Sequence, residues 1–324
     1  MRIVACTRFI RTIWMSGLLS LLIASQCWAG GLPGSGGHYP NGAEDFMVGA
    51  LPPPGVYLVN YMLYVKKDSL KDNAGNSKPA NFDAKVLAEV PRLIYVSPYS
   101  LFGASLAAHV FVPLYSADVK ASSSAIPIPA LNFDKNDKGM GDIIFSPLVL
   151  GWHFGPELHA VLALDMWAPT GSYDKNNPAS QVLSKNHWTF EPVLAVSYLK
   201  DGFDASIKLM YDFNTENDDY LHPGLGTGKL SPGQEFHFDW ALGYSMKNGL
   251  TGGLVGYNFW QTTDDEFNST KVADSKSQVG GIGVGLKYWP KQGPFSMILK
   301  QYWEYNAKNI ATGPQTQFKI IYAF

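Results

Sequence analysis

The feature that most constrains this chain is an alternation of apolar and polar residues with a period of two. In residues 235–246, Phe236, Phe238, Trp240, Leu242, Tyr244 and Met246 fall on one face, and Glu235, His237, Asp239, Ala241, Gly243 and Ser245 on the other. Residues 205–214 repeat the pattern, with Ala205, Ile207, Leu209, Tyr211 and Phe213 opposed to Ser206, Lys208, Met210, Asp212 and Asn214. Residues 187–198 do so again, with Trp188, Phe190, Leu194, Val196 and Tyr198 opposed to His187, Thr189, Glu191 and Ser197. Successive side chains of a strand point to opposite faces, so each segment is a strand with one apolar and one polar side. Weaker versions at about 56–65, 83–96, 101–113, 142–154, 157–168, 250–262, 277–289, 294–305 and 315–324 bring the expected total to twelve. Each is roughly the length of a tilted membrane-spanning strand.

The connections alternate in length. Short ones are expected at Ser97–Ser100, Gly155-Pro156, Lys200-Asp201-Gly202, Lys247-Asn248-Gly249 and Pro290–Pro294. Both triplets contain the Asp-Gly or Asn-Gly pair of a tight hairpin. The long ones, at about 66–82, 114–141, 169–186, 214–233, 263–276 and 306–314, are rich in Asn, Asp, Lys, Ser, Gly and Pro. The expected fold is therefore all-β: a transmembrane antiparallel β-barrel of about twelve strands, with short periplasmic turns and long extracellular loops. This phase puts both termini on the periplasmic side. A soluble sandwich or lipocalin-like barrel would turn its apolar faces inward. The aromatics near the strand ends, and the small residues Gly281, Gly283 and Gly285 on a polar face, fit a membrane barrel better.

Residues 1–29 read as a cleaved secretory signal. Arg2, Arg8 and Arg11 precede an apolar run from Ile13 to Ser25, and Cys27-Trp28-Ala29 offers small residues at the cleavage positions. That run is short for a retained anchor. The bulky Gln26 before Cys27 disfavours a lipoprotein site. Removing the three leader arginines leaves 22 basic against 27 acidic residues, and no cysteine, because Cys6 and Cys27 both lie in the leader. The remainder has one arginine, Arg92, and is a poor nucleic-acid binder. It has no thiol chemistry and no disulfides. Residues 30–55 are dense in Gly and Pro and precede the first strand. They are either a periplasmic lead-in or a plug, in which Glu44 and Asp45 would pair with a lumen base while Phe46, Met47 and Leu51 pack on the wall. The barrel itself is assigned to residues 56–324.

No cofactor, metal or catalytic motif is expected. Gly281-Ile282-Gly283-Val284-Gly285 lacks the spacing and the helix of a dinucleotide loop, and the seven histidines lack ligand spacing. The ionisable lumen candidates are His159, Asp165, Glu191, Lys208, Asp212, Glu235, His237, Asp239, Lys300 and Glu304, with Arg92 of ambiguous phase. They read either as a solvated interior held by ion pairs or as a selectivity surface for a polar or weakly acidic solute. Phe318, Ile320, Tyr322 and the terminal Phe324 alternate in the manner of the assembly signal of bacterial outer-membrane barrels. The partners expected are outer-membrane lipids, the barrel-assembly machinery and an unidentified small solute. Two other functions were weighed. One is an outer-membrane lipid-acting enzyme using His187, placed near the membrane face. The other is a structural or surface-binding barrel acting through the loop at 114–141.

The chain also resembles a known family. Pro40–Met47, Ala50–Gly55, Gly139–Asp142, Ala168–Tyr173, Asn186–Pro192, Tyr211–Asn214, Gly256-Tyr257 with Gln261, and the closing strand together resemble the outer-membrane β-barrel family named for the meta-pathway of phenol degradation. The resemblance implies that fold, an outer-membrane location, and passage of small aromatic or hydrophobic compounds. It supplies no catalytic or binding residues.

Overall fold

The computed structural model describes residues 37–78, 80–122, 132–222, 225–290 and 293–324. The expected leader and residues 30–36 lie outside them. Twelve antiparallel strands form the wall. They are β1 Gly55–Lys67, β2 Asn81–Leu101, β3 in two stretches (Ala104–Phe111 and Leu114–Ser122), and β4 in two stretches (Phe133–Met140 and Ile143–His153). Then follow β5 Leu158–Ala168, β6 Thr189–Lys200, β7 Phe203–Asn214, β8 Glu235–Ser245, β9 Leu250–Gln261, β10 Gln278–Tyr288, β11 Phe295–Lys308 and β12 Gln315–Ala323. Each pairs with its sequence neighbours, and β1 pairs with both β2 and β12, which closes the sheet. Closure removes the edges of the wall itself, where unpaired backbone groups would otherwise meet lipid.

The alternation sorts the two faces as expected. Leu93, Leu162, Leu242, Leu254, Val284 and Leu299 point outward and are exposed in the isolated chain, as a lipid-facing band requires. Tyr99, Phe102, Phe154, Phe203, Tyr244, Trp289 and Phe295 ring the short-turn end. Trp188, Phe190, Phe213, Trp303 and Tyr305 ring the other. These are the two aromatic girdles. Asp201 and Gly202 both have positive φ, 52° and 89°, in the two-residue turn between β6 and β7.

Three expectations are corrected, and the expected side of the N-terminus lies outside the described residues. The turn placed at Ser97–Ser100 is Phe102-Gly103 instead, because β2 runs on to Leu101 with a register shift after Val96. The segment 114–141 is not an irregular loop. Its described parts carry β3 and β4 beyond the wall as a hairpin, with Leu114 opposite Met140 and Ala121 opposite Phe133. Lys120, Asp118 and Asp134 are solvated there, so the apolar alternation that marks a membrane strand is weak. The described start of the chain, Gly37, lies beside Asp212 and Glu235 at the long-loop end of the lumen.

Finally, the lumen is not polar throughout. Tyr61 and Leu63 of β1, Val90 of β2, Ile144 of β4, Val161 of β5 and Val193 of β6 form one buried apolar cluster inside the barrel. Inward positions of these strands read as apolar because they meet each other and residues 39–51, not water.

Above the wall, Asn217–His222, Gly226–Ser231, Glu266–Phe267 and Thr270–Lys271 form a small four-stranded sheet. Ser180–Leu183 is a single helical turn, α1.

Candidate functional site

The site is the interior of the barrel, and residues 37–51 run through it. They descend from the long-loop end to the short-turn end, where β1 begins. Asp239 of β8 fixes the first bend. Its carboxylate accepts from Tyr39 Oη at 2.6 Å, Gly42 N at 2.8 Å and Glu44 N at 3.0 Å. Lys300 of β11 donates to the carbonyls of Gly42 (2.5 Å) and Ala43 (2.7 Å) and lies 3.0 Å from Asp45. Lys319 of β12 meets Asp45 at 2.7 Å and Glu44 at 3.2 Å. Arg92 points inward, resolving its phase, and its guanidinium reaches Glu44 at 3.1 Å. Below this, Met47 N donates to Ser206 Oγ and Gly49 N to Ser197 Oγ.

The lumen glycines acquire a reason here. A side-chain carbon on Gly243 or Gly285 would collide with the Phe46 ring, and one on Gly151 with Leu51. A close approach of this kind admits only glycine.

Apart from Glu304 and His159, the remaining ionisable candidates form one continuous network. Arg92 touches His109 Nδ1 at 2.9 Å, and His109 Nε2 meets Asp165 at 2.9 Å. Lys208 lies between Asp165 (3.9 Å) and Glu191 (3.7 Å), over the Tyr39 ring. His237 approaches Asp212 at 3.3 Å and Glu191 at 3.7 Å. Glu235 pairs across the ladder with Asp212. Glu304 pairs with Lys67 and accepts from Tyr257 Oη at 2.6 Å. That pair is separate from the network, and His159 also stands apart, against His153 at 2.7 Å near the short-turn end. The assembly-signal residues Phe318, Ile320, Tyr322 and Phe324 lie on β12 and its end, with Phe324 N bonded to Val56 O at 3.0 Å.

Sequence reasoning missed His38, Tyr39, His109, Asp142 and Lys319. Lys319 was legible, since it alternates with Phe318 and Ile320. Asp142 was not, because it is a hub between segments distant in sequence. It accepts from Gly171 N (3.0 Å), Ser184 Oγ (2.8 Å) and Lys185 N (3.0 Å), and meets His38 Nε2 at 3.0 Å. His38 also meets Thr189 Oγ1 at 2.7 Å, and Thr189 bonds Asn214. Four of the motifs quoted for the resemblance, at 139–142, 168–173, 186–192 and 211–214, thus meet at one level of the lumen, around residues 37–39.

His187 does not face the membrane, as the enzyme reading required. It is buried beside His38, with Nδ1 at 3.1 Å from the Trp188 carbonyl. Burial drives its imidazole down to about 3, and the neighbouring His38 and Lys185 act in the same direction.

Between this ionic half and the apolar half lies a cavity of about 160 Å³ at the long-loop end. About half of its wall is aliphatic, including Leu63, Val65, Val86, Val90, Val119 and Leu183; Tyr39 and Pro40 also border it, and Lys67, Asp142, Lys185 and Glu304 bring charge to its margin. A smaller apolar space of about 30 Å³ lies against Tyr61, Phe111, Tyr115 and Trp167.

The chain is similar to solved outer-membrane barrels, including a channel and an autotransporter unit. An outer membrane channel from Pseudomonas putida F1 matches at 16% identity and a TM-score of 0.73, covering 86% of this chain and 98% of that one. The transport unit of the autotransporter AIDA-I from Escherichia coli matches at 7% identity and a TM-score of 0.52, covering 86% and 92%. Both likenesses are of fold. No curated protein matches in sequence. The family model described as "Putative MetA-pathway of phenol degradation" matches residues 67–320, most of the chain, and the protein belongs to that family.

Proposed function

We propose that the protein is an outer-membrane channel that admits small aromatic or apolar molecules, and that residues 37–51 close its lumen. The observation that carries this reading is the aliphatic cavity at the long-loop end. Porin lumens are ordinarily polar. A wall of Leu63, Val65, Val86 and Val90 instead favours a solute that loses little on leaving water. Its 160 Å³ is the size of an engineered apolar cavity, about 150 Å³, that takes up benzene. The family's name points the same way. Diffusion through such a path needs no cofactor, and no catalytic step is assigned to the site.

The test is flux into liposomes carrying the purified protein. Phenol and benzoate are expected to enter, and a neutral sugar of similar mass to be excluded. An Asp239→Ala variant, which loses the anchor of the segment, is expected to pass all three faster. No flux of any solute in either protein would overturn the channel reading. Equal flux of phenol and sugar in the unaltered protein would overturn the apolar selectivity.

A further inference from the structure

We propose that Glu191, Asp212 and His237 form a binding site for a divalent transition-metal ion of the zinc class, set in the barrel wall beneath Tyr39, with Glu235 at its mouth. The three side chains come from consecutive strands, β6, β7 and β8, and each offers an atom within 4.8 Å of the others. His237 Nε2 is already 3.3 Å from Asp212 Oδ2 and 3.7 Å from Glu191 Oε2. Ligands bound to a tetrahedral ion at about 2.0–2.2 Å stand roughly 3.3–3.6 Å apart, so two of the three edges need little adjustment.

The independent observation is what these groups lack. Glu191 is 0% exposed, and Asp212 and His237 are each 1% exposed. Yet both carboxylate oxygens of Glu191, both of Asp212, both ring nitrogens of His237 and Oε2 of Glu235 make no hydrogen bond among the described residues. Buried polar atoms are almost always satisfied, and unpaired buried carboxylates are costly. Here several such atoms converge on one point. Lys208 answers this only in part. It is 3.7 Å from Glu191, is shared with Asp165 at 3.9 Å, and lies over the Tyr39 ring. A divalent cation would satisfy the imidazole nitrogen and the facing oxygens together. The imidazole selects the class, since calcium and magnesium prefer oxygen ligands alone.

There is also a route in. Glu235 borders a cavity of about 40 Å³ at the long-loop end, between His38, Tyr173, Ser184 and Asn214. The site is independent of the transport reading, because an ion here would brace three wall strands whether or not a solute passes.

The experiment uses the full mature chain in detergent, stripped with a chelator and titrated with Zn²⁺ by calorimetry and with Co²⁺ by visible absorption. One ion per chain is expected, with a Co²⁺ spectrum of low coordination number. Glu191→Gln, Asp212→Asn and His237→Asn are each expected to weaken binding more than about tenfold, the loss that even an outer-shell change can cause. Glu157→Gln, on an exposed turn, is expected to bind as the parent does. Only variants that keep the heat-modifiable gel mobility of a folded barrel are scored. Crystals of the unaltered protein soaked in Zn²⁺ provide a measurement free of mutation, with an anomalous peak expected between the three side chains. Absence of binding, binding unchanged by all three substitutions, or a peak elsewhere would each overturn the site. The carboxylates would then be held by shared protons.

Discussion

Asp239→Ala isolates what holds residues 37–51 in the lumen. The Asp239 carboxylate is 1% exposed and takes three hydrogen bonds, from Tyr39, Gly42 and Glu44, at 2.6–3.0 Å. A hydrogen bond to a charged acceptor contributes about 1.5–3 kcal/mol, so the gross loss is roughly 4.5–9 kcal/mol. The freed donors recover water once the segment leaves, and such terms are not additive, so about half, roughly 2–4 kcal/mol, favours release. At 1.4 kcal/mol per tenfold, the released population rises about 30- to 700-fold. Residues 30–324 have no cysteine, so Ala43→Cys in a chain produced from residue 30 places a single thiol in the segment, at a position 6% exposed. Its rate of maleimide labelling reports release. In the Asp239→Ala background that rate is expected to rise by the factor above, while barrel mobility on gels is unchanged. Labelling at the parental rate in a folded Asp239→Ala barrel would refute the argument, because the contacts to Lys300, Lys319 and Arg92 would then suffice alone.

Acid is expected to loosen the long-loop end through His187. Burial holds its imidazole near 3 in the folded chain, against about 6.5 when unfolded. Between those values only the unfolded state binds the proton, so stability present above about pH 6.5 is lost as pH falls toward 3. Amide exchange over 169–188 should speed up in this window, and His187→Phe should remove the dependence; protection that rises with acid would contradict the assignment. Leu63→Asp puts an unpaired charge in the aliphatic cavity and is expected to cut phenol flux at least about fivefold, a barrier of about 1 kcal/mol or more, in the liposome assay. Deleting Phe324, which is 76% exposed at the end of the wall, is expected to lower the amount of protein assembled in cells while refolding in detergent is retained; equal assembly would remove its role as a signal. Gly285→Leu fills the seat of Phe46 and is expected to raise Ala43→Cys labelling as Asp239→Ala does.

The wall was legible because one rule generates it. Each strand that faces lipid must alternate, so Phe236 to Met246 declared both the element and its phase. The lumen residues followed by elimination, and nine of the eleven ionisable candidates fall in the connected network, with His159 and Glu304 the exceptions. What could not be read is which of them meet. The pairing of Asp239 with Tyr39, or of Lys300 with Asp45, joins positions 200 or more apart and depends on the course of a segment that has no period of its own. The same holds for Asp142. Its neighbours Gly141 and Gly171 carry no charge pattern, and their meaning is steric: a side-chain carbon on Gly171 would strike the Gly141 backbone. The β3–β4 hairpin was missed for the opposite reason. Its inner face is built from small residues, Ala117, Val119 and Ala121, buried against Phe82 and Leu183, while its outer face carries Lys120, Asp118 and Asp134 in water, so the large apolar residues that identify a spanning strand have no cause there.

The division of the lumen follows from these constraints taken together. A segment held inside a barrel must leave water, and its exposed carbonyls and N–H groups then need partners. Lys300, Asp239, Ser197 and Ser206 supply them on one side, which places polar groups on β6, β7, β8 and β11. The side chains of that segment need the reverse. Phe46 lies in the gap between Gly243 and Gly285, and Tyr39 and Ala43 join the aliphatic cluster of β1 to β6. The charged groups are thus explained largely by the backbone they hold. The apolar strands are not fully explained that way, because Leu63, Val65, Val86 and Val90 also line the 160 Å³ cavity. If burial against the segment were their whole purpose, no such space would need to remain. On that reasoning, selectivity belongs to the aliphatic half of the lumen, while the ionic half sets how firmly the segment stays in place.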